Sequence, residues 1–285
     1  MSWWEERSQL VGTVAIVSGG AGGLGGAVTD DLIANGVRVA VLDRDDAALS
    51  EIKARHPGAE TVFQLGDARD PRVLEALFSL VDEKWGRLDS LVNVVGGTFR
   101  AAFEDTNERG WDALLRTNLT HVLHACSLAI PRMKAGKQGG SIVNFTTIEA
   151  HRGAPNFAVY SAAKAAVTHF SRTLAVELAP DEIRVNCVAP DITPTPNMGL
   201  ISAQSSTFLD PLGAAIALPM ARVGVPTDVS NAVVFLLSGL SRYITGTTLH
   251  PDGGTWAAGG WFNWPGEGFG NSIPSTVLDH LRSQP

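Results

Sequence analysis

The chain is short of cysteine, of charge and of long apolar runs, and each shortage closes off a class of function. Its only two cysteines, Cys126 and Cys187, both lie inside apolar stretches and read as reduced core thiols rather than a disulfide framework. Charged residues make up 18% of the chain, the formal charge is -7, and Lys and Arg are scattered, so nucleic acid is not the expected partner. No uncharged apolar run reaches the roughly 18 residues needed to span a bilayer. The start, Met1-Ser2-Trp3-Trp4-Glu5-Glu6, lacks the basic-then-apolar pattern of a secretory leader. No set of His, Cys or carboxylates has the spacing of a metal site, and Glu149 and His151 in particular lack companions, so no metal is expected. A cytoplasmic protein without membrane contact is the expectation. What the chain does have is 45% apolar residues in 285, enough to bury a full core in one large domain.

Apolar runs of strand length alternate with segments of helical period. Strands are predicted at Thr13–Ser18, Val37–Leu42, Thr61–Leu65, Leu88–Asn93, Ser141–Phe145, Arg184–Val188 and Thr247–His250. Helices are predicted at Gly25–Asn35, Asp46–Arg55, Pro71–Trp85, Glu108–Met133, Asn156–Leu178 and Asp228–Leu237. Such alternation predicts an α/β fold, doubly wound in three layers, with helices on both faces of a mostly seven-stranded parallel sheet. Ligands of such sheets sit at the carboxyl ends of the strands, so the residues found there are the candidates.

After the first strand comes Ser18-Gly19-Gly20-Ala21-Gly22-Gly23-Leu24-Gly25, leading into a helix. The missing side chains let backbone amides and a helix N-terminus approach a pyrophosphate; the bland alternative is a flexible turn. After the second strand comes Asp43, 18 residues beyond Gly25. Its carboxylate suits an adenosine ribose and repels a 2'-phosphate, which favours NAD over NADP, while Arg44 beside it pulls the other way and a plain turn role stays open. Asp67-Ala68 follows the third strand, where the acid can meet an adenine edge. Asn93-Val94-Val95-Gly96-Gly97 follows the fourth, where a small residue admits a cofactor. Both also read as ordinary loop chemistry.

Tyr160 and Lys164 stand four residues apart on one predicted helix face, where a phenol and an ammonium can share one reacting oxygen. With these motifs in place, about Leu10 to Gly254 resembles the classical branch of the short-chain dehydrogenase/reductase family. Ser18, Gly19, Gly23 and Gly25 match its Thr-Gly-x-x-x-Gly-x-Gly turn, and Asn93-Val94-Val95-Gly96 is similar to its Asn-Asn-Ala-Gly segment. Tyr160 and Lys164 match its catalytic pair, and Asn118 its helical asparagine. The family's catalytic serine lies 13 residues before the tyrosine, where this chain has Thr147, which keeps the hydroxyl and adds a methyl group. Pro190-Asp191-Ile192-Thr193-Pro194-Thr195 resembles the family's Pro-Gly segment near the nicotinamide. There Asp191 replaces glycine, so either aspartate reaches a glycine-like backbone state or the loop differs.

The resemblance implies NAD as cofactor, held by Ser18, Gly19, Gly23, Leu24, Gly25, Asp43, Arg44, Asp67, Ala68, Asn93, Gly96, Tyr160, Lys164, Pro190, Thr193 and Thr195. It implies that Tyr160 moves the proton of a secondary alcohol or ketone while hydride passes to or from nicotinamide C4. Thr147 would orient the oxygen, Lys164 would lower the Tyr160 pKa and bind ribose, and Asn118 would support a water-linked path through its backbone carbonyl. A lid is expected near residues 191–219, where Met198, Leu200, Ile201, Phe208, Leu209, Leu212, Ile216 and Leu218 suggest a hydrophobic cyclic, steroid-like or hydroxyacyl thioester substrate. An amphipathic helix packed on the core explains them equally. Residues 255–285 form an extension with Trp256, Trp261, Phe262 and Trp264, costly to leave exposed, which predicts packing on this subunit or a neighbour, joined by Trp3 and Trp4. Family members form dimers and tetramers, so a homodimer or homotetramer is expected. A β-ketoacyl thioester reductase and a catalytically weak NAD-binding regulator are the other readings.

Overall fold

The computed structural model describes residues 2–195 and 210–283. Seven parallel strands form one sheet: β1 (Val14–Ser18), β2 (Arg38–Asp43), β3 (Thr61–Leu65), β4 (Ser90–Asn93), β5 (Gly140–Phe145), β6 (Ile183–Val188) and β7 (Thr248–Leu249). Their order is β3-β2-β1-β4-β5-β6-β7, with the reversal of winding between β1 and β4. Ser18 is in register with Leu42 on one side and Asn93 on the other, so these three strands end together and open a crevice at the switch point.

The helices cover both faces because both faces of the sheet are apolar. On one side α4 (Pro71–Trp85), α6 (His121–Gly136) and α7 (Ala158–Leu178) bury Phe78, Met133, Val167 and Leu174 against Ile16, Leu91 and Ile142. On the other, α2 (Gly23–Ala34), α3 (Asp46–Arg55) and α9 (Pro226–Leu237) bury Leu32, Ile52 and Val233 against Val17, Val41 and Val143. The doubly wound three-layer fold is therefore present as expected.

Three details differ from expectation. The predicted helix from Glu108 to Met133 is two helices, α5 (Glu108–Leu115) and α6, joined through a π turn at Arg116–Thr120. A short N-terminal helix, α1 (Trp3–Ser8), is closed by a Ser2–Glu5 capping box. Its Trp4 indole donates to Asn35 at 2.6 Å, at the amino-terminal edge of the sheet, so Trp4 does not join the C-terminal extension. Of the expected lid, α8 (Pro211–Ala217) is a helix, while Met198, Leu200, Ile201, Phe208 and Leu209 lie outside the described residues. The extension contains α10 (Thr255–Ala258), the antiparallel pair β8 (Phe262–Trp264) and β9 (Gly268–Gly270), and α11 (Ser275–Arg282). Strand β8 packs on α8. Trp256 and Trp261 remain about half exposed.

Candidate active site

A cleft of about 590 Å³ opens along the carboxyl ends of β1 to β6. At its first end the chain leaves β1 through Gly19, whose φ of +75° is the left-handed region that glycine adopts without strain. The Gly19 and Gly20 amides donate to the Leu42 carbonyl, which pins the turn to β2. A Cβ on Gly25 would stand 1.8 Å from the Gly19 carbonyl oxygen, so only glycine lets α2 start this close to the turn. The N-cap is Gly22, which has no side chain to cap the first amides, and the first turn carries no acid. Those amides and the helix dipole are therefore left facing the cleft, a cradle suited to a pyrophosphate.

Asp43 ends β2 at the cleft edge, where its carboxylate accepts from the Ala21 amide at 3.0 Å and the Asp45 amide at 3.2 Å. The acid is thereby fixed to the glycine turn, and Arg44 beside it is exposed. Asp67 and Ala68 line the same end, but the Asp67 carboxylate is gripped by the Arg69 guanidinium, which pulls its pKa below the usual range. Gly96 lies farther along. A Cβ there would come within 3.1 Å of Lys164 Nζ and 3.2 Å of Asn118 Oδ1, so the missing side chain keeps this stretch open.

At the far end Thr147, Tyr160 and Lys164 line the cleft with Pro190, Asp191, Thr193 and Thr195. Thr147 stands two residues beyond the end of β5, Tyr160 and Lys164 share a face of α7, and the last four follow β6. Lys164 is buried and donates to the Phe145 carbonyl at 2.9 Å, and burial pushes its pKa down to about 8. Asn118 sits in the π turn, fully buried. Its amide donates to the Gly97 and Leu114 carbonyls at 2.8 and 3.0 Å and its oxygen accepts from the Gly97 amide at 3.2 Å, locking the Gly96-Gly97 loop to α5. His121 anchors the same loop through the Val95 carbonyl at 3.0 Å; burial and the nearby Lys164 cation lower its pKa to about 3, so it is neutral.

Thr147 does not stand alone. Its hydroxyl donates to the Glu149 carboxylate and accepts weakly from the Glu149 amide at 3.4 Å. Arg152 holds the other Glu149 oxygen at 2.9 Å and approaches Asp191 at 4.0 Å. The Asp191 side chain is 7% exposed, one of its oxygens has no hydrogen-bond partner, and burial raises its pKa to about 6, with the Glu149 charge adding to the effect. Behind this cluster Trp256 stacks on His250 at 4.4 Å, and His151 meets both rings edge-on.

Most of the residues expected from sequence converge on the cleft, with these corrections. The hydroxyl of Ser18 is buried without a partner among the described residues and does not line the cleft; it is the Ser18 carbonyl that accepts from the Val94 and Val95 amides. Asn93 also turns inward, donating to Asn144 at 2.8 Å in a buried chain that continues to Ser171, so its side chain ties β4 to β5 rather than meeting a cofactor. The Tyr160 pKa is pushed up, first by burial and then by the Glu149 carboxylate, with the Thr147 hydroxyl pulling it partly back. Asp191 keeps a negative φ, so no glycine-like backbone state is needed there. The grip of Arg69 on Asp67 and the ties among Thr147, Glu149 and Arg152 were not foreseen; the first was signalled by an acid and a base two residues apart, the second only by charges just past β5.

A family profile described as enoyl-(acyl carrier protein) reductase matches residues 19–255. The 3alpha-hydroxysteroid dehydrogenase of Mediterraneibacter gnavus is 35% identical over 248 residues, covering 86% of this chain and 97% of its own. The 3-oxoacyl-[acyl-carrier-protein] reductase of Chlamydia muridarum is 32% identical, with coverage of 87% and 99%. The NADP-dependent (R)-specific alcohol dehydrogenase of Lentilactobacillus kefiri is 33% identical, with coverage of 86% and 97%. Among solved structures, a short-chain type dehydrogenase/reductase from Mycobacterium marinum superposes with a TM-score of 0.78 at 26% identity, covering 86% of this chain and 96% of that one.

Proposed function

Because the chain belongs to the classical short-chain dehydrogenase/reductase family of nicotinamide-dependent oxidoreductases, we propose that it interconverts a secondary alcohol and a ketone with NAD. The observation that carries the reaction is the meeting of Thr147, Tyr160 and Lys164 at one end of a cleft whose other end is a glycine cradle. The preference for NAD rests on Asp43. Its carboxylate is fixed by the Ala21 amide where the adenosine ribose would lie, and a phosphate placed about 4 Å away would be repelled by about 4 kcal/mol per charge pair at a dielectric of 20. One relative's name records dependence on NADP, and Arg44 is the residue that would support it here.

The bound nicotinamide would supply the hydride acceptor or donor. The residues do the rest. Gly19, Gly23, Leu24 and Gly25 would hold the pyrophosphate, with Thr195, packed on Gly23, beside them. Lys164 would hold the nicotinamide ribose, Thr193 and Pro190 would line the nicotinamide end, and Tyr160 would exchange the proton at the substrate oxygen while Thr147 oriented that oxygen. Asn118 holds the π turn and the Gly96-Gly97 loop that shape this end.

We propose a hydrophobic alcohol or ketone as substrate, covered by α8 and the extension, with His250 and Trp256 behind the polar cluster at its head. A cyclic or steroid-like alcohol fits the name of the hydroxysteroid relative; a β-ketoacyl thioester is the second reading, favoured by the 3-oxoacyl relative. A homodimer or homotetramer is proposed with it, supported by Leu115 and Leu123, exposed on α5 and α6. The test is a panel of cyclic alcohols, steroid alcohols and 3-oxoacyl thioesters, each with NAD and NADP cofactors, followed by nicotinamide absorbance. Turnover of a free alcohol with NAD above NADP is expected. Faster turnover of thioesters would select the second reading, and cofactor binding without turnover would leave a regulator.

A further inference from the structure

Asp191 is an acid kept out of water without a partner. It lines the substrate end of the cleft with Thr147 and Tyr160, and its side chain is only 7% exposed. Strands β5 and β6 end side by side, Phe145 against Val188, and beyond them the Ile148 amide donates to the Pro190 carbonyl at 3.3 Å. Asp191 is thereby brought next to the stretch that carries Thr147. One of its oxygens is shut in with no partner among the described residues, and the other lies 4.0 Å from Arg152, too far for a hydrogen bond. The donors nearby are committed elsewhere: the Arg152 guanidinium holds Glu149 at 2.9 Å, and the Thr255 hydroxyl gives its hydrogen to the Asp252 carbonyl at 2.7 Å. Glu149, the other acid here, is by contrast satisfied by Thr147 and Arg152. A buried carboxylate without donors costs stability, and the rise of the Asp191 pKa to about 6 is in keeping with that.

We propose that Asp191 is a specificity-determining residue whose carboxylate accepts a hydrogen bond from a second hydroxyl of the substrate, so that the preferred substrate is a vicinal diol, or the matching hydroxy ketone, on an apolar frame. The inference rests on the alcohol–ketone reading of the cleft and names its substrate class. Neighbouring strands lie about 4.8 Å apart, a gap that two hydroxyls on adjacent carbons span with a hydrogen bond at either end, one to Thr147 and one to Asp191. A hydroxyl suits the place better than an ammonium, because it makes the bond without bringing another ion out of water. The gain is in choice of substrate: an alcohol lacking the second hydroxyl leaves the buried acid unpaired, whereas the diol satisfies it.

The test compares vicinal diols with the single alcohols that lack the second hydroxyl, on cyclohexane, decalin and steroid frames, with the better of NAD and NADP. The quantity read is the ratio of kcat/KM, diol over single alcohol, on the frame that turns over fastest. In the wild type a ratio of about a hundred or more is expected, and in Asp191→Ala and Asp191→Leu a fall of at least about tenfold. Both substrates are measured on the same protein, so a general loss of packing cancels from the ratio. A second readout needs no turnover: a hydroxy ketone is expected to raise the Tm of the NADH-bound wild type above the value with the plain ketone, and the variants to lose that difference. A wild-type ratio near one, a ratio unchanged in both variants, or a vicinal amino alcohol outrunning the diol would overturn the proposal. Absence of turnover with every alcohol, with the hydroxy ketone still raising Tm in the wild type alone, would uphold Asp191 as the acid that binds the hydroxyl and count instead against the reaction assigned to the cleft.

Discussion

At the scale of single residues, Asp191 shows how a site can cost stability. Its carboxyl is raised to about 6 by burial, with Glu149 adding to the rise. An acid whose folded pKa lies above its unfolded value of 3.8 binds more protons when folded, so stability falls as pH rises from about 4 to about 6 and stays lower above. Asp191→Asn is accordingly expected to stabilise the protein at neutral pH by up to roughly 3 kcal/mol and to flatten the dependence of Tm on pH between 4 and 6; a variant no more stable at pH 7 would show the penalty to be absent. Asp43 gives the second prediction at this scale. Asp43→Ala should weaken NADH binding and raise the relative affinity for NADPH, measured by nicotinamide fluorescence, by about tenfold or more, given a repulsion of a few kcal/mol. The placement of Asp43 and Tyr160 at the cleft was legible in the sequence because each follows a strand or a helical repeat. The inward turn of Asn93 was not, since a strand end does not say which face its last side chain takes, and the neighbour that claims it, Asn144, is 51 residues away.

At the scale of elements, the π turn between α5 and α6 is the feature that periodicity concealed. Apolar residues continue across residues 116–120 at nearly helical spacing, Leu115, Leu119 and Val122 among them, so the pattern gives no sign of the π turn. Its function is visible only in the hydrogen bonds of Asn118, which reach forward to Gly97 and back to Leu114. Asn118→Ala would leave the buried Leu114 carbonyl without its side-chain partner and release the tie to Gly97, at about 1 to 3 kcal/mol. We expect a clear fall in Tm and weaker cofactor binding, checked by thermal unfolding with and without NADH; an unchanged Tm would mean that the loop is held by other contacts. The glycine turn before α2 was legible for the opposite reason. A backbone approach of 1.8 Å to any Cβ at Gly25 demands glycine, and the demand is written in the sequence.

At the scale of the whole molecule, seven strands and their helices were readable because both faces of the sheet are apolar and each crossover repeats the same pattern. The extension was readable only as a need for cover. Its β8 answers that need on α8, and Trp256 answers it on His250, contacts that link distant stretches of chain and leave no local signature. A chain ending at Gly260 is expected to keep the sheet and its NADH affinity while the KM for the best alcohol rises several-fold, measured by steady-state kinetics; loss of NADH binding would place the extension in the core of the fold instead. The central claim is that this cleft moves a hydride between NAD and a carbinol carbon with Tyr160 as the proton-transfer group. Its most direct test is kcat/KM of the wild type and of Tyr160→Phe for the best alcohol with NAD, at one pH and with NADH affinity measured on both. The account predicts a loss of about a hundredfold to ten-thousandfold with NADH affinity retained. Equal rates in the two proteins would contradict it.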